Sequence, residues 1–221
     1  GEKPLVILDA GFASKANLAL LTERGLGYLI NITRSSRAGF AGEFAAAGFE
    51  PVPGREGCAP VEVRAIPDPE NEDGVLVLCR SAARREKELA MISKAEQRFL
   101  DDAGALRERI AQGRLKDVTK IERAIGRLQK KHPRVARFFT LRDEKGGLSI
   151  TRDEEKIDRA SELCGDYVLR TDRSLGAART WSLYMSLLQA EEGFACLKGA
   201  LGLRPNFHRL EERAGGAVFD Q

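Results

Sequence analysis

Runs rich in apolar residues predict β-strands at residues 5–8, 28–32, 61–66, 74–79 and 166–171. The first run, residues 5–8, is apolar throughout, as is typical of strands that a sheet buries on both faces. The first two runs are separated by a predicted helix, which Ser14 caps and Gly25 ends. This strand–helix–strand order predicts a parallel pair joined by a right-handed crossover.

Two long helices are predicted in the middle of the chain. Apolar residues recur at spacings of three, four and seven over residues 83–112, and again after Asp117, a residue suited to cap a helix. The second apolar stripe consists of Val118, Ile121, Ile125 and Leu128. Pro133 ends the second helix, so the pair is interpreted as an antiparallel helical hairpin.

Two β-hairpins are predicted beside these helices. The runs 61–66 and 74–79 are joined by an acidic connection, and the runs 137–141 and 148–151 by a turn that contains two glycines. Residues 33–57 show only a weak pattern, which is interpreted as a loop or a short helix.

Strand character returns near the carboxyl end of the sequence, before a final long helix that starts near Leu175. The simplest architecture is an α/β core made from residues 1–57 and 160–221. An insertion at residues 58–159, with the helical hairpin and the β-hairpins, interrupts it. A chain of 221 residues can bury one core that carries a large inserted subdomain.

Composition predicts a soluble cytoplasmic protein. Charged residues make up 31%, no apolar run approaches the roughly 20 residues of a membrane span, and the first residues do not resemble a secretory signal. The four cysteines are scattered, which is typical of reduced thiols rather than of a zinc site. Only two histidines are present, so a metal site would have to use carboxylates.

Basic residues are concentrated in one segment. Residues 107–137 contain eleven Lys or Arg and three acids, a local charge of +8 in a chain of net charge +3. Such an excess can neutralise nucleic-acid phosphates. A solvated helical surface is an equally good interpretation of the same segment.

Two carboxylates stand where a binding site is expected. Asp9 follows the first strand, and the carboxyl ends of strands face the crevice in which α/β sheets hold ligands. The alternative interpretation is that Asp9 only forms the turn before the next helix. Glu191 shares one face of the final helix with Tyr184 and Lys198. A carboxylate among apolar neighbours requires a basic partner or a metal ion.

The spacing of Tyr184, Leu187, Glu191 and Lys198 resembles the Tyr-Arg-Glu-Lys signature of bacterial insertion-sequence transposases of the DDE class. Leu187 stands where that family has Arg. The segments on either side of this helix, residues 166–172 and 201–209, also resemble those of the family. Asp9 and the three residues after it resemble the motif that carries the second catalytic aspartate. The resemblance covers nearly the whole chain.

The resemblance implies an RNase H-like core and DNA transposition, that is, strand cleavage and strand transfer at insertion-sequence ends. In the family, two aspartates and a glutamate bind two Mg²⁺ or Mn²⁺ ions. Asp9 and Glu191 are the catalytic and metal-binding candidates, and the spacing favours Glu191 over its neighbour Glu192. Tyr184 is expected to support the glutamate. The residues expected to support the site or contact DNA are Lys198, Arg204, His208, Arg209, Lys130, Lys131 and Arg134.

The sequence departs from the family in three places. The first aspartate normally lies well upstream of the second, and the sequence begins eight residues before Asp9; Asp68 and Asp73 lie in an acidic hairpin loop and do not replace it. Leu187 replaces a basic residue, and residues 214–217 interrupt an expected apolar helix. We therefore expect a fragment that binds metal weakly and performs no strand transfer alone.

Double-stranded DNA is the expected partner, and the resemblance allows a homodimer in the DNA complex, with no membrane and no small-molecule substrate. The alternative is a non-catalytic DNA-binding or interaction module that uses the basic helical hairpin 107–137. A generic cytoplasmic α/β enzyme has no support, because no glycine-rich loop that could hold a phosphate is evident.

Overall fold

A computed structural model describes residues 4–8, 10–12, 14–53, 59–144 and 147–200, with the side chains of all of these except residues 12 and 197–200. Within these ranges the strands are β1 Leu5–Leu8, β2 Gly27–Asn31, β3 Glu50–Val52, β4 Val61–Pro67, β5 Val75–Ser81, β6 Phe139–Glu144, β7 Gly147–Arg152 and β8 Asp166–Thr171. The α-helices are α1 Lys15–Glu23, α2 Ala41–Ala45, α3 Ala82–Ala111, α4 Val118–Lys131, α5 Glu154–Glu162 and α6 Ala177–Ala200.

The larger sheet is mixed and has the strand order β1-β2-β8-β5-β4-β3. The predicted parallel pair is confirmed, since β1 and β2 run parallel, and every other neighbouring pair in this sheet is antiparallel. The hairpin β4–β5 is also confirmed. It pairs with β8 over residues 75–80, so strands assigned to the insertion lie in the same sheet as β1 and β2. The domain limits 58 and 159 stay a prediction.

Both faces of this sheet are covered. Residues of one face pack against Trp181 and Tyr184 of α6, and residues of the other pack around Phe44 of α2. Consecutive residues of β5 go to opposite clusters, Leu76 and Leu78 to the α2 side and Val77 to the α6 side. This alternation follows from the two-residue period of a strand. It explains why the run 74–79 is apolar throughout.

A second core lies beside the sheet. The carboxyl-terminal half of α3, α4, α5 and the two-stranded sheet β6–β7 enclose Phe99, Ile121, Leu128 and Phe139. At 1.5 Å per residue the 30 residues of α3 extend about 45 Å, and its first turns contact the amino-terminal end of β8. Helix α3 therefore belongs to both cores.

Helix ends agree with the sequence interpretation. Ser14 accepts a hydrogen bond from the backbone N–H of Asn17, and Asp117 accepts one from that of Lys120. Gly25 follows α1 with φ at +72°, the left-handed conformation that glycine adopts without strain. The 3₁₀ helix Arg34–Phe40 and α2 agree with the interpretation of residues 33–57 as a loop or a short helix. Strand β3 was not predicted, because this segment lacks a clear period.

The predicted α/β class is confirmed, and the structure shows that the larger sheet is mixed. Among the helices in the described ranges, none combines the length and the apolar character that crossing a bilayer requires.

Candidate functional site

Helix α6 packs on the sheet through its first half. Trp181 donates a hydrogen bond from Nε1 to Oη of Tyr167 at 2.7 Å, and the rings of Tyr167 and Tyr184 lie 6.5 Å apart. Trp181, Tyr184 and the half-buried Leu188 recur at helical spacing and face the sheet. The aromatic residues therefore fix the position of α6.

Tyr184 is also joined to the end of β2. The side-chain amide of Asn31 donates a hydrogen bond to Oη of Tyr184 at 3.1 Å. The other side-chain atom, Oδ1 of Asn31, is buried and accepts no hydrogen bond from the described residues. Strand β1 runs parallel to β2 with Leu8 opposite Ile30. The tyrosine of the signature therefore lies at the edge where both parallel strands end.

Glu191 lies two turns beyond Tyr184, about 10.5 Å along the axis of α6 at 1.5 Å per residue. Its side chain is exposed, as are those of residues 189–196. The sequence placed this carboxylate among apolar neighbours, but in the structure it is exposed to solvent and carries no free-energy cost of burial. Among the described residues Glu191 has no ion-pair partner, so the basic partner considered from the sequence is not found there.

Several predicted site residues lie outside the described part of the chain. These are Asp9, the side chain of Lys198, Arg204, His208 and Arg209. No group of three or more His, Cys, Asp or Glu side chains that could hold a metal occurs within the described ranges. The separation of the Asp9 and Glu191 carboxylates stays untested.

The predicted basic surface is best developed on α4. Lys120, Arg123, Arg127 and Lys130 are exposed on an arc of about 80° at 100° per residue, opposite the buried Ile121. They span about 15 Å of helix, and in the described part of the chain none of the four forms an ion pair. We call these four residues the α4 stripe.

The other two predicted DNA contacts of this region differ from each other. Lys131 is paired with Asp102 at 2.7 Å, whereas Arg134 is exposed and has no ion pair among the described residues. Hydrogen bonds from Lys131 and then from His132 lower the pKa of the Asp102 carboxyl. Lys131 therefore supports the hairpin, and Arg134 is available to a ligand.

A buried ionic cluster was missed by sequence reasoning. Glu88 accepts hydrogen bonds from Arg34 at 3.0 Å, from Arg37 at 3.2 Å and from Arg84 at 3.2 Å. It also accepts one from the backbone N–H of Gly165 at 3.3 Å. Burial raises the pKa of Glu88, but the hydrogen bonds from Gly165, Arg84 and Arg37 outweigh it and hold that pKa below its usual value.

The only sequence signal for this cluster is the spacing of Arg84 and Glu88, which are four residues apart on α3. Arg34 and Arg37 lie in the segment without a clear period, 33–57, so their approach to Glu88 depends on the tertiary fold.

Comparisons with family models, with curated proteins and with solved structures found no match to this chain.

Removing the hydroxyl of Tyr184 tests its contact with Asn31. Tyr184→Phe leaves the amide of Asn31 without its acceptor, and we expect a loss of about 1–2 kcal/mol in the free energy of unfolding. Urea unfolding measures this loss. Ser182→Ala removes an exposed hydroxyl of the same helix and should change stability by less than about 0.5 kcal/mol. Equal effects of the two substitutions would contradict a specific role for Tyr184.

Proposed function

We propose that the chain carries part of the catalytic core of a DDE-class insertion-sequence transposase, with an RNase H-like fold. The proposed function is metal-dependent cleavage and transfer of DNA strands at insertion-sequence ends. The observation that supports it most is the bond between Tyr184 and Asn31. It holds the helix of the Tyr-Leu-Glu-Lys signature at the sheet edge where β1 ends, and Asp9 follows β1 in the sequence.

In this proposal Asp9 and Glu191 hold the metal. The exposed carboxylate of Glu191 has no ion-pair partner in the described ranges, so a cation from solvent can reach it. Carboxylate oxygens are the usual protein ligands of Mg²⁺ and Mn²⁺. When bound, such ions activate a water or a DNA 3′-hydroxyl and stabilise the leaving oxygen. Tyr184 positions α6, and Lys198 contacts DNA near the reacting end.

The proposal names double-stranded DNA as the partner, a homodimer on that DNA as the working assembly, and the bacterial cytoplasm as the location. The α4 stripe supports the DNA partner, because exposed cations that form no ion pair within the described residues gain most from meeting phosphates. It supports equally a second candidate function, a non-catalytic DNA-binding module that uses the hairpin 107–137.

Metal binding tests the first candidate. We expect the chain to bind Mn²⁺ weakly, as followed by the electron paramagnetic resonance signal of the free ion. Asp9→Asn and Glu191→Gln should each weaken binding at least tenfold, because each removes a charged ligand. Glu192→Gln is the matched control, a neighbouring carboxylate that should leave the affinity unchanged.

Mn²⁺ affinity that is unaffected by both substitutions would contradict this assignment and remove Asp9 and Glu191 from the site. Robust cleavage of duplex DNA by the chain with Mg²⁺, dependent on Glu191, would support the assignment but overturn the expectation that the chain is inactive alone.

Duplex binding tests the second candidate. Replacing Arg123 and Arg127 by Glu should weaken binding of a duplex oligonucleotide and lower the slope of log affinity against log salt by about 1.8, at about 0.9 for each phosphate contact. Fluorescence anisotropy in EDTA measures both without a metal. An unchanged slope would assign the α4 stripe to solvation only.

A further inference from the structure

A groove of about 620 Å³ separates the 3₁₀ helix Arg34–Phe40 from the second core. Parts of α3, α5 and the segment 133–138 complete its walls. Its apolar lining includes Met91, which is 48% exposed although it is a large hydrophobic residue. The arginines that line it are Arg34, Arg37, Arg134, Arg137 and Arg159, and Glu88 is the acid among the lining residues.

The groove carries an excess of positive charge. Arg34 and Arg37 both line the groove and contact Glu88, which is one more positive charge than this carboxylate balances. Arg159 is paired with Glu155 outside the groove. Arg134 and Arg137 are exposed, and within the described residues neither forms an ion pair. An anionic ligand would therefore meet unbalanced cations.

Part of this positive charge is held rigidly. The side chain of Arg37 is 8% exposed and donates to Glu88 and to the backbone carbonyl of Asp166 at 3.0 Å. Arg34 donates to Glu88 from a side chain that is 52% exposed, so its remaining N–H groups face the groove or solvent. Donors that are fixed before binding lose less conformational entropy when a phosphate arrives.

We propose that this groove binds a single DNA strand, with phosphates on Arg34, Arg134 and Arg137 and bases on the apolar lining around Met91. The volume is in the range of sites for small molecules, roughly 300–1,000 Å³, so it holds a short piece of one strand rather than a duplex. Guanidinium groups beside exposed apolar surface suit an unpaired nucleotide, which offers a phosphate and a flat base. Glu191 is not among the residues that line the groove.

The test uses a fluorescein-labelled 12-residue oligothymidylate and fluorescence anisotropy at 0.15 M salt in EDTA. The variant with Arg134→Glu and Arg137→Glu should bind at least tenfold more weakly. Its slope of log affinity against log salt should fall by about 1.4, at about 0.7 for each contact with a single strand. The matched control, Arg24→Glu with Arg142→Glu, changes two exposed arginines outside both the groove and the α4 stripe. It has the same net charge and should weaken binding less than threefold.

Two further measurements separate the groove from general electrostatics. Met91→Glu should weaken oligothymidylate binding and Met91→Leu should not, because the lining must stay apolar. Equal losses in the groove variant and the control variant would overturn the proposal. Displacement of the oligonucleotide by polyglutamate as effective as that by unlabelled oligothymidylate would overturn it too. Because EDTA removes metal ions, failure here leaves the proposal for Asp9 and Glu191 intact.

Discussion

Replacing Glu88 by glutamine is expected to lower the free energy of unfolding by about 3–5 kcal/mol, the usual cost of removing one partner from a buried ion pair. Glutamine keeps the shape of the side chain but leaves Arg37, which is almost fully buried, without a counter-charge. The backbone N–H of Gly165 also loses a charged acceptor. Urea unfolding at pH 7 measures the loss.

The ion pair between Glu88 and Arg37 also makes the stability of the fold depend on pH. The pKa of Glu88 is lower in the folded protein than in the unfolded chain, where it is about 4.3. Its contribution is therefore fully present above that unfolded pKa and is lost as the pH falls through the folded pKa. Between pH 7 and pH 3 the stability of Glu88→Gln should fall less steeply than that of the natural protein.

Glu155 provides the control for Glu88. It also pairs with an arginine four residues away on a helix, but both side chains are more than 70% exposed. Glu155→Gln should change stability by less than about 0.5 kcal/mol, since exposed pairs of this kind contribute little. A loss for Glu88→Gln no larger than this would show that the cluster does not stabilise the fold.

Replacing Phe99 by alanine is expected to cost about 3–5 kcal/mol, the usual effect of a cavity left by a deleted aromatic ring. Phe99 is fully buried in the second core, where its ring lies 4.8 Å from that of Phe139. Met91 is the matched control on the same helix because it is 48% exposed, and Met91→Ala should cost less than about 1 kcal/mol.

Hydrogen exchange gives Phe99→Ala a second measurement. The cavity lies in the core that β6 and β7 cover, whereas β5 and β8 contact the two clusters of the larger sheet. Amide protection should therefore fall more in β6 and β7 than in β5 and β8. Equal loss of protection in all four strands would show that the two cores unfold as one unit.

The predicted elements were recovered where the local signal was strong. The period of apolar residues predicted α3 and α4 nearly to their ends, and the caps Ser14 and Asp117 lie where helix physics places them. Strand β3 was missed because three residues give no measurable period. The membership of β4 and β5 in the larger sheet was also missed, since strand pairing joins residues about 90 positions apart along the chain.

In the candidate site, too, local spacing was predictable from the sequence and long-range contacts were not. The sequence supplied the spacing of Tyr184 and Glu191, but the structure made the first a buried residue that contacts Asn31 and the second an exposed carboxylate. Nothing in the sequence brings Arg34 and Arg37 to Glu88, because their approach requires the packing of the 3₁₀ helix against α3.

For this protein, the sequence by itself determined the long helices, the hairpins, the basic character of α4 and the resemblance of α6 to a transposase signature. These depend on residues within one helix or on strands that follow each other in the chain, where backbone geometry dictates which side chains share a face. Only the tertiary structure decided which strands share a sheet, that Glu88 is buried among three arginines, and that arginines from distant segments line one groove. Those features arise from contacts between residues far apart in the chain, which no local period encodes.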